Sequence, residues 1–273
     1  MSHSTATGLR WEVRTRGSGV PLLLLHGFTG RGSGWGTHAT AFARAFRVIL
    51  VDLPGHGRTE TPADPVRASV ERTADDLAAI LRRDGHAPAH VLGYSLGARI
   101  ALRLAVAHPG SLRRLVLESP SAGLATESER RARRAADEGR AVRLERDGIE
   151  AFVDEWEREP VFASHAALPP TQAARLRVER LRTRPAGLSA SLRGAGQGSM
   201  EPLGDRLAEV HAPTLVIAGA LDPAGHVRAE AVAAGIPGAR LAVVAGAGHT
   251  PHLETPSTFR SLALDFLKED PAA

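Results

Sequence analysis

The sequence predicts a doubly wound α/β domain carrying one helical insertion, and three observations predict it. Short runs rich in Val, Ile and Leu recur with helix-length amphipathic segments between them, the rhythm of a mostly parallel sheet covered on both faces. At 273 residues and 43% hydrophobic content, the chain suffices for one large domain of that kind. Between residues 124 and 200 the rhythm stops, and it resumes at Pro213, so the extra material lies inside one domain.

Taken in order, strands are expected over 20–25, 47–52, 90–92, 112–118, 213–219 and 240–244, with 11–15 adding an N-terminal edge strand. Helices are expected over 70–82, 98–107, 225–234 and 256–267, where apolar residues recur at helical spacing. The interrupted stretch offers no strand; its Arg- and Ala-rich helical segments are separated at Pro160, Pro169-Pro170 and Pro185. The chain therefore divides into a core of 1–123 with 201–273 and a helical cap of 124–200.

Composition narrows the function. No apolar run approaches the roughly 20 residues of a membrane-spanning helix, and the first eight residues lack a basic and apolar leader. A cytoplasmic protein without membrane insertion is expected. Absence of cysteine excludes disulfides, thiolate catalysis and cysteine-held metals. The net charge of +4 comes almost wholly from arginine, Lys268 being the single lysine. Those arginines alternate with acids and few aromatics accompany them, which disfavours nucleic acid as a partner. Neither a metal-ligand spacing nor a phosphate-cradling glycine loop occurs, so no metal or cofactor is expected.

Gly93-Tyr94-Ser95-Leu96-Gly97 follows one expected strand and precedes a helix, the setting that a G-x-S-x-G nucleophile turn requires. Its glycines permit a sharp turn, which exposes the Ser95 hydroxyl at a helix N-terminus, where developing negative charge is favoured. Asp222 and His249 each lie just past another strand, on the rim where active sites of open parallel sheets gather. A serine needs an imidazole to take its proton, and the imidazole needs an anion to fix its tautomer. Ser95, His249 and Asp222 are the candidate triad, with Glu118 as an alternative acid and His252 as a neighbouring imidazole. The backbone N–H groups of Phe28, after His26-Gly27, and of Leu96 are the candidate oxyanion donors. Arg99 lies one helical turn beyond Ser95, where a buried cation needs an anion, either an internal acid or a substrate carboxylate.

These motifs, with Asp52-Leu53-Pro54-Gly55-His56-Gly57, resemble the α/β-hydrolase superfamily. The segment from Gly93 to Arg99 further resembles the G-Y-S-x-G-G-R signature of 2-succinyl-6-hydroxy-2,4-cyclohexadiene-1-carboxylate synthases, Ala98 replacing a glycine. The likeness continues in His26-Gly27-Phe28-Thr29-Gly30 with Trp35, in Glu118, in Trp156 with Pro160-Val161-Phe162, and in residues 187–194. After Asp222 it departs, because Pro223-Ala224-Gly225-His226 stands where the family commonly has a Lys-Phe continuation. The resemblance implies an α/β-hydrolase fold and a lyase of menaquinone biosynthesis that eliminates pyruvate from 2-succinyl-5-enolpyruvyl-6-hydroxy-3-cyclohexene-1-carboxylate. It implies that Arg99, Arg133 and Arg180 surround a small polycarboxylate substrate, and that Tyr94, Trp156, Phe28 and Thr29 line the pocket. Arg130, Arg131 and Arg134 share the helix of Arg133 and are open alternatives to it. A monomer is expected. The competing functions are a serine hydrolase of small esters or C–C bonds, and a non-catalytic binding protein on the same scaffold.

Overall fold

The computed structural model describes residues 8–269 and the backbone of residues 2–4. The apolar runs form an eight-stranded sheet of β1 (Ser2–Ser4), β2 (Arg10–Arg16), β3 (Pro21–Leu25), β4 (Arg47–Val51), β5 (Ala89–Tyr94), β6 (Leu112–Glu118), β7 (Thr214–Gly219) and β8 (Arg240–Val244). Their spatial order is β1-β2-β4-β3-β5-β6-β7-β8. The pairs β1/β2 and β2/β4 are antiparallel, and every later pair is parallel. Strand β2 was expected at the edge; β1 pairs outside it and takes that place.

Sheet faces are covered because the strands between them are apolar on both sides. Leu22 to Leu25 of β3 are all fully buried, as residues of a central parallel strand must be. One face carries α2 (Val70–Arg83), α3 (Leu96–Ala107) and α7 (Pro223–Gly235); the other carries α1 (Gly36–Phe42) and α9 (Pro256–Lys268). Helix α1 and the short α8 (Pro251–Glu254) carry too few apolar residues to announce themselves in the sequence.

Register places the site. Leu25 pairs with Gly93, Tyr94 with Glu118, and Gly219 with Val244, so the loops that follow β3, β5, β6, β7 and β8 leave the sheet along one rim. Between β6 and β7 runs helical structure only: α4 (Glu127–Trp156), a 3-10 segment (Pro160–Ala167), α5 (Pro170–Leu181) and α6 (Pro185–Ala195). Thr126 and Glu129 form a capping box that starts α4, and Gly148, at φ 84°, breaks it. Ala141, Leu144, Phe152, Val153, Leu188 and Leu192 form the small core of this insertion. Among the described residues no helix is long and apolar enough to cross a membrane.

Candidate active site

Strand β5 ends in the turn that presents Ser95. That residue has φ 52° and ψ −105° and is the N-cap of α3, a left-handed conformation that an L-residue holds only when its surroundings enforce it. The two flanking glycines allow the enforcement. A Cβ on Gly97 would lie 2.6 Å from the carbonyl carbon of Leu25 and 2.8 Å from the carbonyl oxygen of His26; one on Gly93 would lie 2.8 Å from the Cα of Ala98. Only backbone without side chains lets α3 start this close to β3. The helix starts at Leu96, two residues earlier than its apolar pattern indicates, because the turn itself supplies the cap.

Asp222 and His249 reach Ser95 from two further strands. Asp222 follows β7 and caps α7, its Oδ1 accepting the Gly225 N–H at 2.8 Å. Its Oδ2 accepts from His249 Nδ1 at 2.9 Å, and His249 Nε2 lies 3.1 Å from Ser95 Oγ. Burial pushes the Asp222 carboxyl up, but hydrogen bonds from His249 and Gly225 together outweigh it, and the net displacement is downward. Asp222 thus stays ionised and holds the proton of His249 on Nδ1, leaving Nε2 free to accept from the hydroxyl. The loop carrying His249 is docked on its neighbours: Leu221 N–H donates to the Ala247 carbonyl, and Ser119 Oγ donates to the His249 carbonyl at 2.9 Å.

Phe28 is set by a buried histidine. His26 Nε2 accepts the Leu53 N–H at 3.0 Å, so its proton lies on Nδ1, which donates to the Gly27 carbonyl at 2.8 Å. Burial lowers the His26 pKa to about 4, which keeps the ring neutral in this role. The Asp52–Gly57 stretch supports the same loop, since Asp52 accepts the N–H groups of Gly32 and Arg58. Leu96 is the first residue of α3, so its N–H has no intrahelical acceptor. Phe28 and Leu96 both line the Ser95 cavity.

That cavity, of about 270 Å³, lies between the sheet rim and the helical insertion. Tyr94, Trp156 and Phe162 form an aromatic wall, and the rings of Phe28 and Trp156 meet edge-on at 5.2 Å. Arg99 lines it from α3. Its guanidinium is buried and donates to the Ala195 carbonyl at 2.7 Å. Among the described residues no carboxylate lies within ion-pair distance of it. Burial, then repulsion from Arg133, lowers its pKa to about 10, so it remains charged at neutral pH at a cost.

The sequence matches the model of the alpha/beta hydrolase fold family over residues 20–256. The chain belongs to this family. Among its relatives, a Bacillus subtilis protein is 36% identical over 97% of each chain. The 2-succinyl-6-hydroxy-2,4-cyclohexadiene-1-carboxylate synthase of Pectobacterium atrosepticum is 32% identical over 90% of this chain and 93% of its own. Among solved structures, MenH from S. aureus superposes with a TM-score of 0.89 at 33% identity, covering 94% of this chain and 97% of that one.

Within this α/β-hydrolase the residues singled out from sequence divide into two groups. Ser95, His249, Phe28, Leu96, Tyr94, Arg99, Arg133 and Trp156 all border the Ser95 cavity, and Asp222 stands behind His249, joined to it by the hydrogen bond at Nδ1. Arg133 is the member of its arginine cluster that faces inward, where it donates to both oxygens of Asp137 at 2.9 Å. Arg180 and Thr29 do not reach this space. They line an adjoining cavity of about 210 Å³, because the Phe162 ring interposes, its centroid 5.1 Å from the Arg180 guanidinium. Arg180 is also neutralised by Glu157 at 3.0 Å. The alternative acid Glu118 is fully buried and accepts both the backbone N–H and Nδ1 of His252 at 2.8 Å, so neither of these residues joins the triad. Phe162, named in sequence only as part of the likeness, proves to be a partition, and two cations of the wall, Arg140 and Arg228, were not singled out at all. Among many arginines, nothing local marked those two.

Proposed function

We propose that the protein is the lyase that converts 2-succinyl-5-enolpyruvyl-6-hydroxy-3-cyclohexene-1-carboxylate to 2-succinyl-6-hydroxy-2,4-cyclohexadiene-1-carboxylate and pyruvate, in the cytoplasm and without a cofactor. The observation that carries it is a hydrogen-bonded Ser95–His249–Asp222 chain opening onto a cavity that also holds an arginine without an acid partner, Arg99. The relatives named as this synthase supply the substrate.

His249, oriented by Asp222, takes the Ser95 proton, and the Ser95 oxygen removes the ring proton alpha to the succinyl ketone. The electron pair enters the ketone as an enolate, whose oxygen faces the N–H groups of Phe28 and Leu96. Collapse of the enolate through the ring double bond forms the conjugated diene and breaks the C–O bond to the enolpyruvyl group. The leaving group takes up a proton and tautomerises to pyruvate. No water is consumed.

Pyruvate release from the cyclohexene substrate, coupled to lactate dehydrogenase, tests the reading beside hydrolysis of nitrophenyl esters. Stoichiometric pyruvate and diene, lost in Ser95→Ala with its melting temperature retained, is the expected outcome. Fast ester turnover without pyruvate would establish a hydrolase instead.

A further inference from the structure

Four guanidinium groups line the Ser95 cavity, and they differ in what neutralises them. Arg133 is paired with Asp137, and Arg140 with Glu159 and Asp137. Arg99 and Arg228 have no carboxylate within ion-pair distance among the described residues. Arg228 is half-buried on α7, the helix that Asp222 caps. Its charge is felt at Asp222, yet the two form no ion pair, and the Asp222 oxygens accept from His249 and from the Gly225 N–H instead.

We propose that Arg228 is a substrate-binding residue that takes one carboxylate of the ligand from the α7 wall, while Arg99 takes another from the α3 wall. The ligand's identity rests on the lyase reading; the need for an anion rests on the cavity itself. A guanidinium facing a partly dry space gains most from a carboxylate, because charge-assisted, bidentate hydrogen bonds offset the water that both groups give up. Two such cations on different elements favour ligands with carboxylates at two ends over monocarboxylates. The Arg228 contact also sets the ligand's orientation about the Ser95 hydroxyl. Arginines paired to internal acids add shape and hydrogen bonds, but less net charge.

Equilibrium titration of Ser95→Ala protein with the cyclohexene substrate, read by quenching of Trp156, tests this apart from turnover. Adding Arg228→Gln is expected to weaken binding roughly tenfold or more, as loss of a charge-assisted hydrogen bond does, with Arg228→Lys retaining most of it. Arg131→Gln, which removes the same charge from an exposed position outside the cavity, should leave binding within about twofold. Equal effects of Arg228→Gln and Arg131→Gln would overturn the proposal and leave the lyase reading standing. A Ser95→Ala parent that binds no substrate, with no pyruvate released by the wild type, would overturn both.

Discussion

Replacing Gly97 with alanine should cripple turnover through a single methyl group. The added Cβ would sit 2.6 Å from the Leu25 carbonyl carbon and 2.8 Å from the His26 carbonyl oxygen, and closer still to the Leu25 carbonyl oxygen. All of these are backbone atoms of the central strand and the loop after it, so none can swing aside. Relief requires that the start of α3 retreat by roughly 1 Å, against a core packed to crystal density. Ser95 and the Leu96 N–H ride on that segment, and the contact from Ser95 Oγ to His249 Nε2 is already 3.1 Å. A retreat of this size stretches it beyond hydrogen-bonding reach and moves the Leu96 N–H away from that of Phe28. A misplacement of about 1 Å costs on the order of a hundredfold in rate, and the overpacking itself costs about 1–3 kcal/mol of stability. The assay is kcat for pyruvate release alongside thermal unfolding, with Gly204→Ala as control, since a Cβ there meets nothing within 4 Å. A Gly97→Ala enzyme with wild-type kcat would refute the claim that close approach of α3 to β3 positions Ser95.

Three further outcomes are expected. Asp222→Asn should leave the fold intact and lower kcat by roughly ten-thousandfold, because the amide favours the wrong His249 tautomer; kcat measured within tenfold of wild type would exclude this role for Asp222. Arg99→Met should raise KM for the polycarboxylate and also raise the melting temperature, since burial, then repulsion from Arg133, lowers the arginine pKa to about 10 and makes its charge unfavourable where it sits; a variant that melts lower with unchanged KM would contradict it. Stability should fall as pH drops from about 6.5 to 4. The folded-state pKa of His26 is lowered to about 4, so the unfolded chain takes the proton first, and roughly 3 kcal/mol present above pH 6.5 is lost through that window. Denaturant titrations at stepped pH read this directly, and a wild-type profile that is flat between pH 7 and 4 would contradict it.

The parallel core was legible because its signal is local. Leu22 to Leu25 and Val48 to Val51 are apolar on both faces of their strands, and such runs have few other uses. The serine turn was legible for a related reason, since Gly93 and Gly97 mark backbone contacts that no other residue permits. Arg180 was not, because its destination depends on tertiary packing: the sequence shows a cap arginine, whereas Glu157 and the Phe162 ring decide which cavity it enters. Arg228 failed in the opposite direction. It lies on α7, a helix with no pronounced apolar face, and becomes notable only once it is seen to line the Ser95 cavity while Asp222, which caps the same helix, accepts from other partners.

A hydroxyl, an imidazole and a carboxylate in hydrogen-bonded sequence serve hydrolysis as well as elimination, so the choice between them must come from elsewhere in the cavity. Burial of Arg99 without an acid partner is unfavourable, and a neutral ester offers its charge nothing in return. A substrate carboxylate offsets part of that penalty on arrival, which favours an anionic ligand over a neutral one of the same shape. In the proposed reaction, binding energy gained at the arginines would also hold the ring proton, rather than an acyl carbon, against Ser95 Oγ, and a positioned proton acceptor is what elimination needs. The cations therefore do more than raise affinity. On the proposed reading, by fixing which atom of the substrate meets the serine they would convert a general base chain common to many reactions into one suited to removing a proton beside a ketone.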